Sequence, residues 1–222
     1  MFDRDIRVTV LGNTGVGKTT LIRRIKGSKV KTLQLQKTLD INVEEKKIRL
    51  RSSELYPWYS IEAHRKYRII AIDNPGDYKL RRMWREVLRK FTTDGMLFLL
   101  DPKQSIIVQK NAMEDSYNYF LDSLDLNPKK ADMFAQNKKY IFHFVVNKCD
   151  KLDTFSENEF KITPSIKEKA VDFLSHFAFT IDEFKRTFPR SKIGISYLSA
   201  KYSPYIDLDK LFEILKVYRY QT

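Results

Sequence analysis

The chain reads as an α/β domain, a three-layer fold with a mostly parallel six-stranded sheet, one antiparallel edge strand and helices on both faces. Strand-like and helix-like segments alternate along it, the order in which helical crossovers return a chain to a parallel sheet. Two segments, Met96-Leu97-Phe98-Leu99-Leu100 and Tyr140-Ile141-Phe142-His143-Phe144-Val145-Val146, are almost wholly apolar, as strands buried on both faces are. A glycine loop joins the first strand directly to a helix-compatible segment.

The first strand, Ile6-Arg7-Val8-Thr9-Val10-Leu11, is alternating and β-branched, and the helix after the loop carries Leu21-Ile22-Arg23-Arg24-Ile25. A polar stretch over 27–37 precedes an alternating segment over 41–50 and a second strand over 67–72. These two pair as a hairpin with a long connection rich in Tyr56, Trp58 and Tyr59. The last strand, over 192–198, is weaker. Helical faces are predicted from Tyr117, Phe120, Leu121 and Leu124, and from Ile166, Ala170, Phe173, Leu174 and Phe177. Leu208, Leu211, Phe212, Leu215 and Tyr218 make a third. Residues 151–165 are polar and loop-like, with Phe155 and Phe160 pinning them down. There is no internal repeat and no dividing linker, so one domain is expected over 1–222, with insertions near 51–66 and 151–190.

Length and a hydrophobic share of 42% suit a globular chain with a real core. The single Cys149 excludes a disulfide framework and suits a reducing compartment. The start, Met1-Phe2-Asp3-Arg4-Asp5, carries no secretory apolar region, and no apolar run reaches bilayer length. No lipidation signal is visible at either end. A cytoplasmic location is expected, with a peripheral membrane location as the variant. Lys and Arg number 41 against 28 Asp and Glu, a net charge of +13. Such a balance favours anionic partners or simply solvates lysine-rich faces. Weak contact with an anionic membrane or with nucleic acid is expected on this ground.

Residues Gly12-Asn13-Thr14-Gly15-Val16-Gly17-Lys18-Thr19 match G-x-x-x-x-G-K-[ST] between a strand and a helix. Glycines let successive backbone N–H groups turn inward on phosphates, and the helix N-terminus adds partial positive charge. Lys18 reaches β- and γ-phosphates, and the Thr19 hydroxyl is a ligand for Mg²⁺. With Thr20 these residues form the expected phosphate-binding set, which puts the chain on the P-loop NTPase fold. An ordinary glycine turn with a chance lysine would not bring strand, loop and helix together in this order.

Asp73-Asn74-Pro75-Gly76 follows a strand, where α/β sheets place their ligands. A carboxylate there is suited to Mg²⁺, and the Gly76 N–H to a γ-phosphate. Asn147-Lys148-Cys149-Asp150 ends the most apolar strand. The Asp150 carboxylate suits the N1–H and exocyclic amine of guanine; adenine presents an acceptor instead of N1–H and is repelled. The Lys148 stem suits the base face. Ser199-Ala200-Lys201 follows the last strand, and the Ala200 N–H is placed to donate to guanine O6.

In these residues, from Gly12 to Lys201, the chain resembles the Ras-like small GTPase superfamily. The resemblance implies binding of GTP and GDP with Mg²⁺, slow GTP hydrolysis, and a switch that signals to protein effectors and answers exchange or activating factors. The segment Lys37-Thr38-Leu39-Asp40-Ile41-Asn42-Val43-Glu44 resembles switch I of the Arf branch, which implies Thr38 as a Mg²⁺ ligand and γ-phosphate contact, with Thr32 as runner-up. Gly76-Asp77-Tyr78-Lys79-Leu80-Arg81-Arg82-Met83-Trp84-Arg85 has the spacing of switch II in Arf, Sar and the β-subunit of the signal-recognition-particle receptor. It implies Arg81 and Trp84 as switch residues. Metal ligands are then Thr19, Thr38 and Asp73, and the catalytic set is Lys18, Thr38, Gly76 and Asp77.

One position departs from the family pattern. Asp77 stands where the family has a water-orienting glutamine. Aspartate is shorter, lacks an N–H donor, and brings negative charge to an anionic transition state. No arginine near Thr38 stands ready as a finger in cis; Lys31 and Lys37 are the nearest cations. Low intrinsic hydrolysis is expected. A constitutively GTP-bound interaction module and an RNA- or ribosome-associated GTPase are the alternative readings.

Overall fold

The computed structural model describes residues 4–26, 42–51, 64–91, 93–124, 140–153 and 160–203. Thr32, Thr38, Phe155 and the predicted helical face over 208–218 lie outside them, as does the 52–63 connection. The elements run β1 (Arg4–Leu11), α1 (Lys18–Lys26), β2 (Asn42–Arg51), β3 (His64–Asp73), α2 (Arg82–Lys90), β4 (Gly95–Leu100), α3 (Ile106–Ser123), β5 (Ile141–Val146), α4 (Pro164–Ser175), α5 (Ala178–Thr187) and β6 (Lys192–Tyr197). Short 3-10 turns occupy Tyr78–Leu80 and Cys149–Lys151.

The strands form one six-stranded sheet in the order β2-β3-β1-β4-β5-β6. All neighbours are parallel except the edge pair β2 and β3, which runs antiparallel from Asn42 opposite Asp73 to Arg51 opposite His64. This is the expected sheet, including its hairpin. It brings the carboxyl ends of β1, β3, β4, β5 and β6 to one edge, where the candidate residues gather.

Side chains alternate between the two faces because the strand repeat is two. Met96, Phe98 and Leu100 of β4, with Phe142, Phe144 and Val146 of β5, join Trp84, Ala112, Met113, Ala170 and Phe184 in one buried cluster. Leu97, Leu99, Ile141 and Val145 point the other way, to Leu21 and Ile22 of α1. Helices therefore cover both faces. Within the larger cluster Phe120 meets Tyr140, Phe142 and Phe188 edge-on, at centroid distances of 5.0, 5.1 and 5.5 Å. Each fully buried ring of this kind contributes ~1.5–3 kcal/mol over an exposed one.

Helix α4 starts on a sequence signal. The Thr163 side chain accepts the Ile166 N–H at 3.2 Å, and Pro164 takes the first helical position, where no N–H is needed. Its predicted face is right for Ile166, Ala170, Phe173 and Leu174, but the helix ends at Ser175 and Phe177 leads into α5. Phe177 is buried all the same, so the apolar spacing survives a break in the helix. Phe160 is buried as expected. Among the described residues no helix is long and apolar enough to cross a membrane.

Candidate functional site

Leaving β1, the backbone takes positive φ at Gly12 (134°), Gly15 (78°) and Gly17 (98°), which side-chain-bearing residues adopt only under strain. A Cβ on Gly12 would also stand 2.5 Å from the Leu99 carbonyl oxygen. Val16 is buried and anchors the middle of the loop. Lys18 opens α1, and its buried ammonium donates to the carbonyls of Gly12 at 2.9 Å and Asn13 at 3.0 Å. Burial brings its pKa down to about 8, with the Asp73 charge pulling the other way. Thr14 and Thr20 are half-buried on either side.

Asp73 is the last residue of β3 and accepts the Thr19 hydroxyl on Oδ2 at 2.5 Å. Its other oxygen, Oδ1, is buried without a hydrogen-bond partner. Burial raises the Asp73 pKa, while the Thr19 hydrogen bond and the Lys18 charge lower it. An orphaned carboxylate oxygen beside a hydroxyl fits a hard cation that takes few protein ligands and fills its shell with phosphate oxygens and water, as Mg²⁺ does. Among the described residues there is no group of three or more His, Cys, Asp or Glu that would suit a protein-caged metal.

The turn after Asp73 folds back over the phosphate loop. The Asn74 amide donates to the carbonyls of Val10 and Ile72 at 3.3 and 3.1 Å, and the Gly76 carbonyl accepts the Thr14 N–H at 3.0 Å. It is thus the carbonyl of Gly76, not its N–H, that engages the loop. A Cβ on Gly76 would lie 2.4 Å from Thr14 N and 2.5 Å from Lys18 Nζ, so only glycine approaches this closely. Asp77 Oδ1 accepts the Lys79 N–H at 3.0 Å and caps the 3-10 turn. Trp84 is wholly buried, and its indole N–H donates to the Pro75 carbonyl at 2.7 Å.

At the end of β5, Asn147 staples two loops together. Its Nδ2 donates to the Val16 carbonyl at 2.6 Å and its Oδ1 accepts the Ala200 N–H at 2.7 Å. The Ala200 N–H, expected to serve a base, is thus held by Asn147 instead, because the buried amide oxygen lies within reach. Lys148 is the one non-glycine residue of positive φ (59°) among those described, and its ammonium pairs with buried Asp101 at 2.6 Å. The pair fixes the Lys148 stem at the site. Asp150, in the turn, has a buried Oδ1 with no partner, which fits a carboxylate built to receive N–H donors from a base. Cys149 is inert by comparison: burial pushes its thiol up to about 12. Ser199 is buried, its N–H held by the Ser203 hydroxyl at 2.8 Å, and Lys201 is exposed.

The fold thus gathers the predicted residues of the phosphate loop, Asp73, Gly76, Asp77 and the 147–150 and 199–201 segments at one edge. Sequence reasoning misses four residues that hold them. Asp101 anchors Lys148, and the Gln104 amide donates to the Thr14 carbonyl at 2.8 Å. Gln109 ties down Asp101 through its N–H and carbonyl at 2.8 and 3.0 Å. Asp115 pairs with Arg81 at 2.8 Å.

A glycine cradle closed by a buried lysine, at the carboxyl edge of a parallel sheet, defines the P-loop nucleoside-triphosphate-binding class. A family model described as 50S ribosome-binding GTPase matches residues 7–148, more than half of the chain. The chain belongs to that GTPase family, and it binds GTP and GDP in the role of a GTPase. A search of curated proteins returned no match. The matched span includes the phosphate loop, Asp73, Gly76 and Asn147-Lys148, and ends before Asp150.

Proposed function

We propose that the protein is a guanine-nucleotide switch with an Arf-type switch II, which reads the third phosphate through the 73–77 turn and passes the state to protein effectors. The observation that carries this reading is the bond from the Thr14 N–H to the Gly76 carbonyl, which joins the Asp-x-x-Gly turn to the phosphate loop at 3.0 Å. A turn in direct contact with the loop moves when the loop's ligand changes, and Trp84 and Arg81 carry that movement into α2. Thr19 and Asp73, joined by Thr38, hold the Mg²⁺, which neutralises phosphate charge when bound. Nucleotide identification by mass spectrometry of the purified protein tests the base and the phosphate count together.

Hydrolysis in this reading is slow. The Asp77 carboxylate is engaged as a turn cap and offers no N–H to orient water. Single-turnover GTP hydrolysis is expected at or below the order of 10⁻⁴ s⁻¹ typical of small GTPases acting alone. Asp77→Gln is expected to raise it by about a hundredfold, the lower end of what a positioned catalytic side chain supplies. An unchanged rate in Asp77→Gln would place the deficit elsewhere in the site.

A second reading, a ribosome- or RNA-associated GTPase, has the family description and the basic surface in its favour. Arg82, Arg89 and Lys90 are exposed along α2. A log–log salt slope for RNA binding that reports several released counterions supports it; a flat slope removes it.

A further inference from the structure

We propose that Asn13 and Arg81 form a latch that sets the preference of the site for GDP over GTP; the inference rests on the switch reading above. Asn13 is the first variable residue of the phosphate loop and is 6% exposed. Its Oδ1 accepts one branch of the Arg81 guanidinium at 2.8 Å. The other branch pairs with Asp115 on α3 at 2.8 Å, while the Val108 carbonyl accepts a longer bond, at 3.4 Å, from the branch that holds Asn13. Arg81 is only 3% exposed, and its guanidinium lies over the rings of Tyr78 and Trp84, at 5.2 and 5.7 Å from their centroids. A planar guanidinium held from two sides in a buried setting has little freedom to slide.

Arg81 is coupled to Gly76 through one short, stiff turn. The Leu80 N–H donates to the Asp77 carbonyl at 2.9 Å and the Arg81 N–H to the Tyr78 carbonyl at 3.3 Å, while the Asp77 side chain caps the start. Trp84 holds the Pro75 carbonyl from the far side. With Arg81 fixed on Asn13, the Gly76 carbonyl is kept on the Thr14 N–H and the Gly76 main chain against the Lys18 ammonium.

That placement discriminates between nucleotides. Backbone N–H groups of the loop cradle the α- and β-phosphates, and the lysine reaches the β-phosphate and, further out, the γ-phosphate. A diphosphate is accommodated with Gly76 in place; a third phosphate needs the side of Lys18 that Gly76 covers. To admit it, the turn moves and Arg81 leaves Asn13. The latch therefore weakens binding of the triphosphate alone, and a ligand shifts such an equilibrium only by its differential affinity.

The test measures Kd for GDP and for GTPγS, both with Mg²⁺, in the full chain and in Arg81→Ala, Arg81→Lys, Asn13→Ala and Arg81→Ala/Asn13→Ala. The ratio Kd(GTPγS)/Kd(GDP) is the readout, because a merely structural loss moves both constants together. Either alanine variant is expected to lower the ratio about tenfold, a typical coupling between linked sites. The double variant lowers it no further, since both changes break one contact. Arg81→Lys, which keeps a charge for Asp115 but lacks the second branch, falls between wild type and Arg81→Ala. Should Arg81→Ala fail to fold by circular dichroism, Asn13→Ala decides alone. A ratio within twofold of wild type in Asn13→Ala, a higher ratio, or a parallel loss of both affinities overturns the latch. Failure of the wild type to bind either nucleotide overturns the switch reading instead.

Discussion

Lys18→Met is expected to weaken GTP binding severely and, at the same time, to stabilise the nucleotide-free protein. The ammonium is buried at 6% exposure with only two carbonyl acceptors, and burial brings its pKa from 10.5 down to about 8. That depression is a stability statement: at neutral pH the folded state holds a charge that water would solvate better, at a cost of roughly 3 kcal/mol. Methionine keeps the volume without the charge and leaves the Gly12 and Asn13 carbonyls without their donor, which returns ~1 kcal/mol or more of the gain. A net rise of roughly 1–2 kcal/mol in unfolding free energy is expected from denaturant melts at pH 7.

The sign of the pH dependence follows from the direction of the shift. A lysine whose folded pKa is depressed binds its proton more strongly in the unfolded chain between pH 8 and 10.5. Stability of the wild type therefore rises across that window relative to Lys18→Met, and the gap closes by its upper end, where the unfolded lysine loses its proton too. Binding responds in the opposite way. Removing one partner of a buried charge pair costs ~2–5 kcal/mol, so affinity for GTPγS falls by roughly thirtyfold to several thousandfold. Isothermal titration checks the affinity; retention of GTPγS binding within threefold would deny Lys18 its role. On the switch reading, bound phosphates supply the charge that satisfies this destabilising group.

The residues legible in the sequence share a topological reason. Gly12, Asp73 and Asn147 each stand at or just past the end of a strand whose apolar pattern is unmistakable, so a local pattern suffices to place them at the carboxyl edge. Asp101 obeys the same rule, following directly on Leu100 at the end of β4, and the rule would find it where a motif does not. Gln104, Asp115 and the contact that Arg81 makes with Asn13 lie beyond that reach. These contacts span 90, 34 and 68 residues, and a long-range polar contact leaves no periodic trace. Asp77 illustrates a further limit: the sequence flags the missing amide, but the cap it makes on the Lys79 N–H follows only from the turn's geometry. The break after Ser175 is hidden for another reason, since Phe177 keeps the apolar spacing across the turn.

Asp150→Asn is expected to move base preference from guanine toward xanthine. The carboxylate has one buried oxygen without a partner and stands beside the stapled Asn147 and the Asp101-anchored Lys148, so its position is fixed before any base arrives. Two acceptor oxygens match the two N–H donors of the guanine edge. An amide replaces one acceptor by an N–H donor, which then faces the exocyclic amine, donor against donor. Sites that hydrogen-bond a polar edge reject the mismatched partner by about 10⁴–10⁵ at the upper limit, so a loss of roughly 10²–10³ in GDP affinity is a moderate expectation for this half-buried carboxylate. Xanthine carries an oxygen in place of that amine and accepts from the new N–H. Xanthosine diphosphate is expected to bind Asp150→Asn more tightly than GDP does, with ATP gaining nothing. The affinities for GDP and xanthosine diphosphate then separate two origins of selectivity. If the variant keeps GDP within threefold of wild type, the base is chosen by pocket shape or backbone donors, and Asp150 is only a turn residue. If xanthine gains while guanine falls, the charge on this one side chain selects the base, and the phosphate loop contributes affinity without preference.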